Sequence, residues 1–230
     1  MTITEQVEQT TTIDPYRDIH KGIRAVLFSI TSEAGRLDPH DGEARRLFAE
    51  HVDSAAELLE FHAGHEDTFV LPVLEEHAPA LAEEIAQAHA SLGARVTAFR
   101  SAASGLADAA PEEERAALHQ QYLDLALFTG KYLEHQEMEE RVVTPALLTA
   151  IGDDEVRRVD EALVASIPPD VMATGLAVMF PAMNIDDRAD MLGGMQAGAP
   201  PQVFEGVWAL TQSVLDPTDA RALADRLGIR

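Results

Sequence analysis

Two stretches of this sequence carry the same side chains in the same frame: Glu60-Phe-His-Ala-Gly-His-Glu-Asp-Thr-Phe-Val-Leu-Pro72 and Glu134-His-Gln-Glu-Met-Glu-Glu-Arg-Val-Val-Thr-Pro145. In each, a histidine (His62, His135) precedes a glutamate (Glu66, Glu139) by four residues. A second acid (Asp67, Glu140) follows at once, and a proline (Pro72, Pro145) comes five residues later; the copies lie 73 residues apart. On an α-helix, positions i and i+4 share a face about 5–6 Å apart, so each copy presents an imidazole and a carboxylate to one point. Two such pairs on facing helices frame a dinuclear metal site, with histidine capping each ion and glutamate able to span both. That frame requires two more inward histidines on two other helices.

His20 and His89 meet the requirement. Asp14-Pro15 reads as a helix start and Gly35 as its stop, with Tyr16, His20, Ile23, Leu27 and Ile30 on one stripe. A second helix is predicted from the loop ending at Gly42 to about His77, its stripe Phe48, His51, Ala55, Leu58, His62, His65 or Glu66, and Phe69, with Pro72 kinking its last turns. His51 is expected in the core, and His40, His77 and His119 at the surface. The third helix begins at Pro79 and carries Leu81, Ile85, His89, Leu92, Val96 and Phe99 up to a break at Ser101-Ala-Ala-Ser-Gly105. The fourth is expected from about Pro111 to about Ala150, with Leu118, Leu125, Phe128, Tyr132, His135, Glu139 and Val142 inward. Short loops favour an all-α, up-down-up-down four-helix bundle over residues 14–151. Residues 1–13 read as a disordered tail. Residues 152–230 read as a helical extension of four or five short helices, marked by Asp153, Pro168-Pro169, Asp186-Asp187, Pro200-Pro201 and Asp216-Pro217. Five of the seven methionines fall between Met172 and Met195 and should fill its core or a homodimer interface.

Composition narrows the chemistry. Apolar content is 46% with only 5% aromatic, which suits helices. The chain has no cysteine, so disulfides, iron–sulfur clusters and thiolate zinc sites are excluded, and histidine and carboxylate are the strong donors left. A net charge of −23, from 40 acids against 17 bases, argues against nucleic-acid and anionic-membrane partners. No apolar run reaches 18 residues and the first twelve carry no hydrophobic signal, so a cytoplasmic location is expected.

With His20, His62/Glu66, His89 and His135/Glu139 in place, the first 150 residues resemble the hemerythrin-like (HHE cation-binding) family, through His-x3-Glu-Asp-x4-Pro and His-x3-Glu-Glu-x4-Pro. The resemblance implies a non-heme di-iron centre in a four-helix bundle. His20 and His62 would ligate one iron, His89 and His135 the other, with Glu66 and Glu139 bridging and an oxo or hydroxo group between the ions. Oxygen-carrying members have a fifth histidine one turn from that of helix 3, whereas here position 93 is glycine and position 85 isoleucine. His65, Tyr132 and Tyr16 are the candidates for an extra ligand; otherwise they hydrogen-bond the ligands. The expected function is handling of a small redox ligand: hydrogen peroxide, nitric oxide or oxygen. Two open irons favour turnover of peroxide or nitric oxide over oxygen carriage. The alternative is a non-enzymatic module that binds or senses oxygen or iron while the extension contacts a partner. Zinc is the expected adventitious occupant of a recombinant sample.

Overall fold

The protein's structure, a computed structural model, describes residues 14–108 and 114–229. It is all-helical, with no strand among the described residues. The expected tail over 1–13 and the expected helix start at Pro111 fall outside them. Helix α1 spans Arg17–Arg36, where Asp14 Oδ1 accepts from the backbone N–H groups of Tyr16 and Arg17, both at 3.1 Å. It therefore begins slightly later than Asp14-Pro15 suggests, but buries the predicted His20, Ile23, Leu27 and Ile30. Helix α2 spans Gly42–Phe69, with Asp41 accepting from Ala44 N at its start. Pro72, which cannot donate into the ladder, sits in the first turn of α3, Leu71–His77, and the chain breaks at Val70 as expected of that proline. Helix α4 spans Pro79–Asp108 and α5 spans Glu114–Met138. A π-helical turn at Glu139–Val143 joins α5 to α6, Thr144–Ile151.

Three expectations about these helices are corrected. The break at Ser101–Gly105 does not occur: α4 runs through it, because Ala103 and Leu106 continue the buried series after Phe99 and their burial outweighs the cost of Ser and Gly in a helix. His51 is no core residue; its side chain is 57% exposed and its ring pairs with Glu33 at 3.0 Å, while the neighbouring Val52 is fully buried. Val142 is exposed and Val143 buried instead, since the π turn inserts one residue and rotates everything after it by about 100°.

Helices α1, α2, α4 and α5 pack as a cycle, α1 on α2, α2 on α4, α4 on α5 and α5 on α1. Their apolar side chains form two separate clusters. One holds Ile23, Leu27, Phe48, Leu59, Leu92, Val96, Phe128 and Tyr132 among others. The second gathers Tyr16, Val70, Leu74, Ile85, Val143 and Leu147. Every long helix passes from one cluster to the other through the polar residues between them: Tyr16, His20, Ile23 on α1; Leu59, His62 and Glu66, Val70 leaving α2; Ile85, His89, Leu92 on α4; Tyr132, His135 and Glu139, Val143 at the end of α5.

Beyond Gly152 come α7 (Asp153–Ser166), α8 (Pro169–Ala182), α9 (Ile185–Gly198), α10 (Pro201–Val214) and α11 (Pro217–Leu227), each starting 16 residues after the last. The starts are those the Pro and Asp markers predict, and Asn184 and Asp216 cap α9 and α11 through their side chains. A third apolar cluster, with Leu176, Phe180, Met183, Leu192 and Leu223 at its centre, is covered by Trp208, Phe204 and four further methionines. Arg188 ties it together, donating from Nε to Phe180 O at 2.7 Å and from Nη1 to Asp219 at 3.1 Å. Helix α8 lies along α1. A Cβ on Gly22 would stand 3.0 Å from Val178 Cγ1 and 3.4 Å from the Met179 backbone, so only glycine lets these helices approach so closely. Lys21 on α1 also forms an ion pair with Asp187 in the first turn of α9. No single helix among the described residues is long and apolar enough to cross a membrane.

Candidate metal centre

Between the first two apolar clusters, the four helices bring His20, His62, Glu66, His89, His135 and Glu139 together. Their donor atoms form two groups: His20, His62, Glu66 and Glu139, and Glu66, His89, His135 and Glu139, within each of which the atoms lie within 4.8 Å of one another. Both groups share the two glutamates. Glu66 Oε2 lies 3.5 Å from His62 Nε2 and 3.4 Å from His89 Nε2. Glu139 reaches His20 Nε2 at 3.4 Å, His89 Nε2 at 3.5 Å and His135 Nε2 at 2.8 Å. All four imidazoles thus turn Nε2 to the centre. His20 and His62 bring theirs to 3.2 Å of each other.

The outward nitrogens explain the second acid of each motif. Asp67, beside Glu66 on α2, accepts from His89 Nδ1 on α4 at 2.6 Å. Glu140, beside Glu139, accepts from His20 Nδ1 on α1 at 2.9 Å and from Arg24 at 2.8 Å. Each motif helix therefore supplies a histidine, a central carboxylate and the acid that orients the lone histidine of another helix. With Nδ1–H committed outward, Nε2 of His20 and His89 is the nitrogen left for a ligand. The doubling of acids in each copy was the sequence signal for this role. Arg24 had none.

Both oxygens of Glu66 and of Glu139 and Nε2 of His89 are buried with no hydrogen-bond partner. Burying an unpaired ion costs several kcal/mol. Burial, together with the neighbouring Glu139 charge, holds the Glu66 carboxyl well above the ordinary range. Burial would raise Glu139 too, but His135 and His89 hold it well below. Burial and the neighbouring His20 push His62 down to about 3. Burial also opposes charge on His89, yet Glu139, Glu66 and Asp67 together lift it to about 11. Protons thus stand where cations would. Six nitrogen and oxygen donors with orphaned buried carboxylates fit one or two hard or borderline metal ions.

The π turn sits at this centre. It widens the helix at Glu139, and the Thr144 N–H and hydroxyl both donate back to Glu139 O, the hydroxyl at 3.2 Å. Sequence periodicity did not reveal it.

The model of the hemerythrin HHE cation binding domain family matches residues 11–158. The chain belongs to this family. No curated protein and no solved structure matches it. Both groups of histidines and glutamates that could hold a cation lie within the matched residues. The three candidates for an extra ligand lie around these groups. His65 turns Nδ1 to Phe61 O at 2.9 Å and packs its ring on Phe61, outside both groups. Tyr16 stacks on His20 with ring centres 4.9 Å apart, and Tyr132 stands edge-on to His135 at 6.0 Å. Burial, then the charges of Glu66 and Glu139, raise both phenols well above 10, so each is a neutral hydroxyl. His40, His77 and His119 are exposed as expected.

Proposed function

We propose that this hemerythrin-like domain holds two iron ions and turns over a small redox ligand, hydrogen peroxide or nitric oxide in preference to oxygen carriage. The observation that carries this reading is the sharing of Glu66 and Glu139 by two histidine pairs, since a single-ion site would not need four imidazoles with two unpartnered carboxylates between them. His20 and His62 would hold one ion and His89 and His135 the other, with Glu66 and Glu139 common to both. The order of apolar clusters along α1, α2, α4 and α5 reverses from each helix to the next, which supports an up-down-up-down bundle over 14–151 with 152–230 as its extension. Iron, when bound, supplies one-electron redox chemistry and a Lewis acid at the carboxylate pair.

The chain's own residues do the rest. Asp67 and Glu140 fix the faces of His89 and His20, and the two apolar clusters exclude bulk water above and below. If two ions bind, the four donor residues available to each would leave room for an exchangeable ligand or substrate. The neutral phenols of Tyr16 and Tyr132 pack against His20 and His135.

Elemental analysis of protein from iron-replete cells should give two irons per chain; one metal, or zinc alone, would sink the di-iron assignment. Zinc in a recombinant sample is the expected contaminant, because the donors suit it. Peroxide consumption should then be lost in Glu66→Ala and His135→Ala. A stable, reversible oxygen complex without peroxide consumption would overturn the preference for turnover.

A second reading, oxygen or iron sensing, draws on the junction of α8 with α1. Gly22 and Lys21, which meet the extension, follow His20 directly. In that reading the extension passes the state of the centre to a partner, or to a second copy across exposed side chains such as Val164 and Val203. A cytoplasmic location belongs to both readings.

A further inference from the structure

Gly93 lies one turn after His89 on α4, is exposed, and has nothing within 4 Å of where a Cβ would stand. Beside it is a cleft of about 40 Å³, lined by Leu59, Glu60, Ala63, His89, Leu92, Gly93, Val96, Tyr132 and His135. By the measure on which one water needs about 10–15 Å³, it holds about three or four. Its rim residues, Gly93 and Glu60, are exposed, whereas His89, Tyr132 and His135 are buried. Glu60 at the rim is paired with Arg100 Nη1 at 3.2 Å.

We infer that this cleft is the entry path and the exchangeable-ligand site of the centre, so that the exogenous ligand reaches the ion on His89 and His135 rather than the one on His20 and His62. This rests on the di-iron reading and adds an inequality between its two positions. His20 is fully buried, with Tyr16 stacked on its ring and its Nδ1 tied to Glu140, and neither it nor His62, whose side chain is 10% exposed, lines this cleft. The His89/His135 side instead opens onto the cleft through the space left by Gly93. The lining selects the ligand class. Leu59, Ala63, Leu92 and Val96 are apolar and Glu60 at the rim is compensated by Arg100, so a small neutral molecule enters more readily than an ion that must shed its water. The Tyr132 phenol is the lining group that donates to such a ligand. Nothing larger than a few heavy atoms fits without displacing a wall.

The test uses nitric oxide as probe on the reduced, iron-loaded full chain, followed by absorption in a stopped-flow mixer, with metal content measured on the same samples. Gly93→Leu should fill the cleft and slow nitric oxide association at least tenfold while two irons per chain remain. Gly93→Ala, whose Cβ meets nothing, controls for folding and should slow association less. Filling the cleft from α2 with Ala63→Leu gives a second blocking variant should the first not fold. A fully loaded Gly93→Leu or Ala63→Leu protein that takes nitric oxide at the wild-type rate overturns this inference alone. Wild-type protein that holds no metal overturns the di-iron reading beneath it, and this inference with it.

Discussion

At the scale of single residues, protons and cations compete for the same atoms. Without a cation, burial and the Glu139 charge raise Glu66, and His89, lifted to about 11, is charged at neutral pH. Ligation needs His89 bare, so filling the centre releases its proton and binding tightens as pH rises. Chelator competition between pH 6 and 8 should show the affinity climbing about tenfold per pH unit. A flat profile would mean His89 stays out of the centre. Glu140 moves the other way: the hydrogen bond from His20, aided by Arg24, pulls it to about 2 from its ordinary 4.5. A depressed folded-state pKa contributes stability above the unfolded value and loses it as pH falls toward the folded one. Glu140→Gln should therefore lower the denaturant midpoint of metal-free protein at pH 6, and the gap from wild type should shrink between pH 4.5 and 2. Asp67 is half exposed and contributes little to the fold. Asp67→Ala should still weaken metal binding by about 10–100-fold, because His89 loses the partner that orients it.

At the scale of elements, the π turn separates what the sequence discloses from what it hides. The spacing of His135 and Glu139 is visible in the sequence, because four residues make one helical turn. The choice of Val143 over Val142 was not, because one inserted residue leaves no periodic trace until the following helix is seen to be rotated. His51 misled for a related reason: a heptad-like stripe drawn through Phe48 places it inward, but Val52 next to it buries at lower cost. Ser101–Gly105 read as a loop since Gly and Ser favour one, and only burial of Ala103 and Leu106 shows the helix prevailing. The short C-terminal helices were legible because Pro and Asp mark their starts chemically. What was missing for them was the packing partner, which depends on contacts remote in sequence. Deleting Val142 should let the π turn relax to an α-helix while Val143 stays inward. We expect the melting temperature of the metal-free protein to be unchanged or higher and the metal content to fall, since Glu139 loses the wide turn that seats it.

At the scale of the whole molecule, α8 packs along α1, and Gly22 lies where the two helices approach closely. Gly22→Val would drive a branched side chain into Val178 and the Met179 backbone. The expected cost is about 1–3 kcal/mol in chemical denaturation, with α8 displaced from α1. Full stability in that variant would mean the extension rides loosely on the bundle. The layer of histidines and glutamates has a further consequence, for cooperativity. It divides the bundle's apolar side chains into two clusters joined through polar groups that repel or protonate when no ion links them. The loaded protein should melt as one unit, with calorimetric and van't Hoff enthalpies equal. Stripped of metal, it should melt over a broader range with the van't Hoff enthalpy falling below the calorimetric one, the two halves of the bundle unfolding as separate blocks.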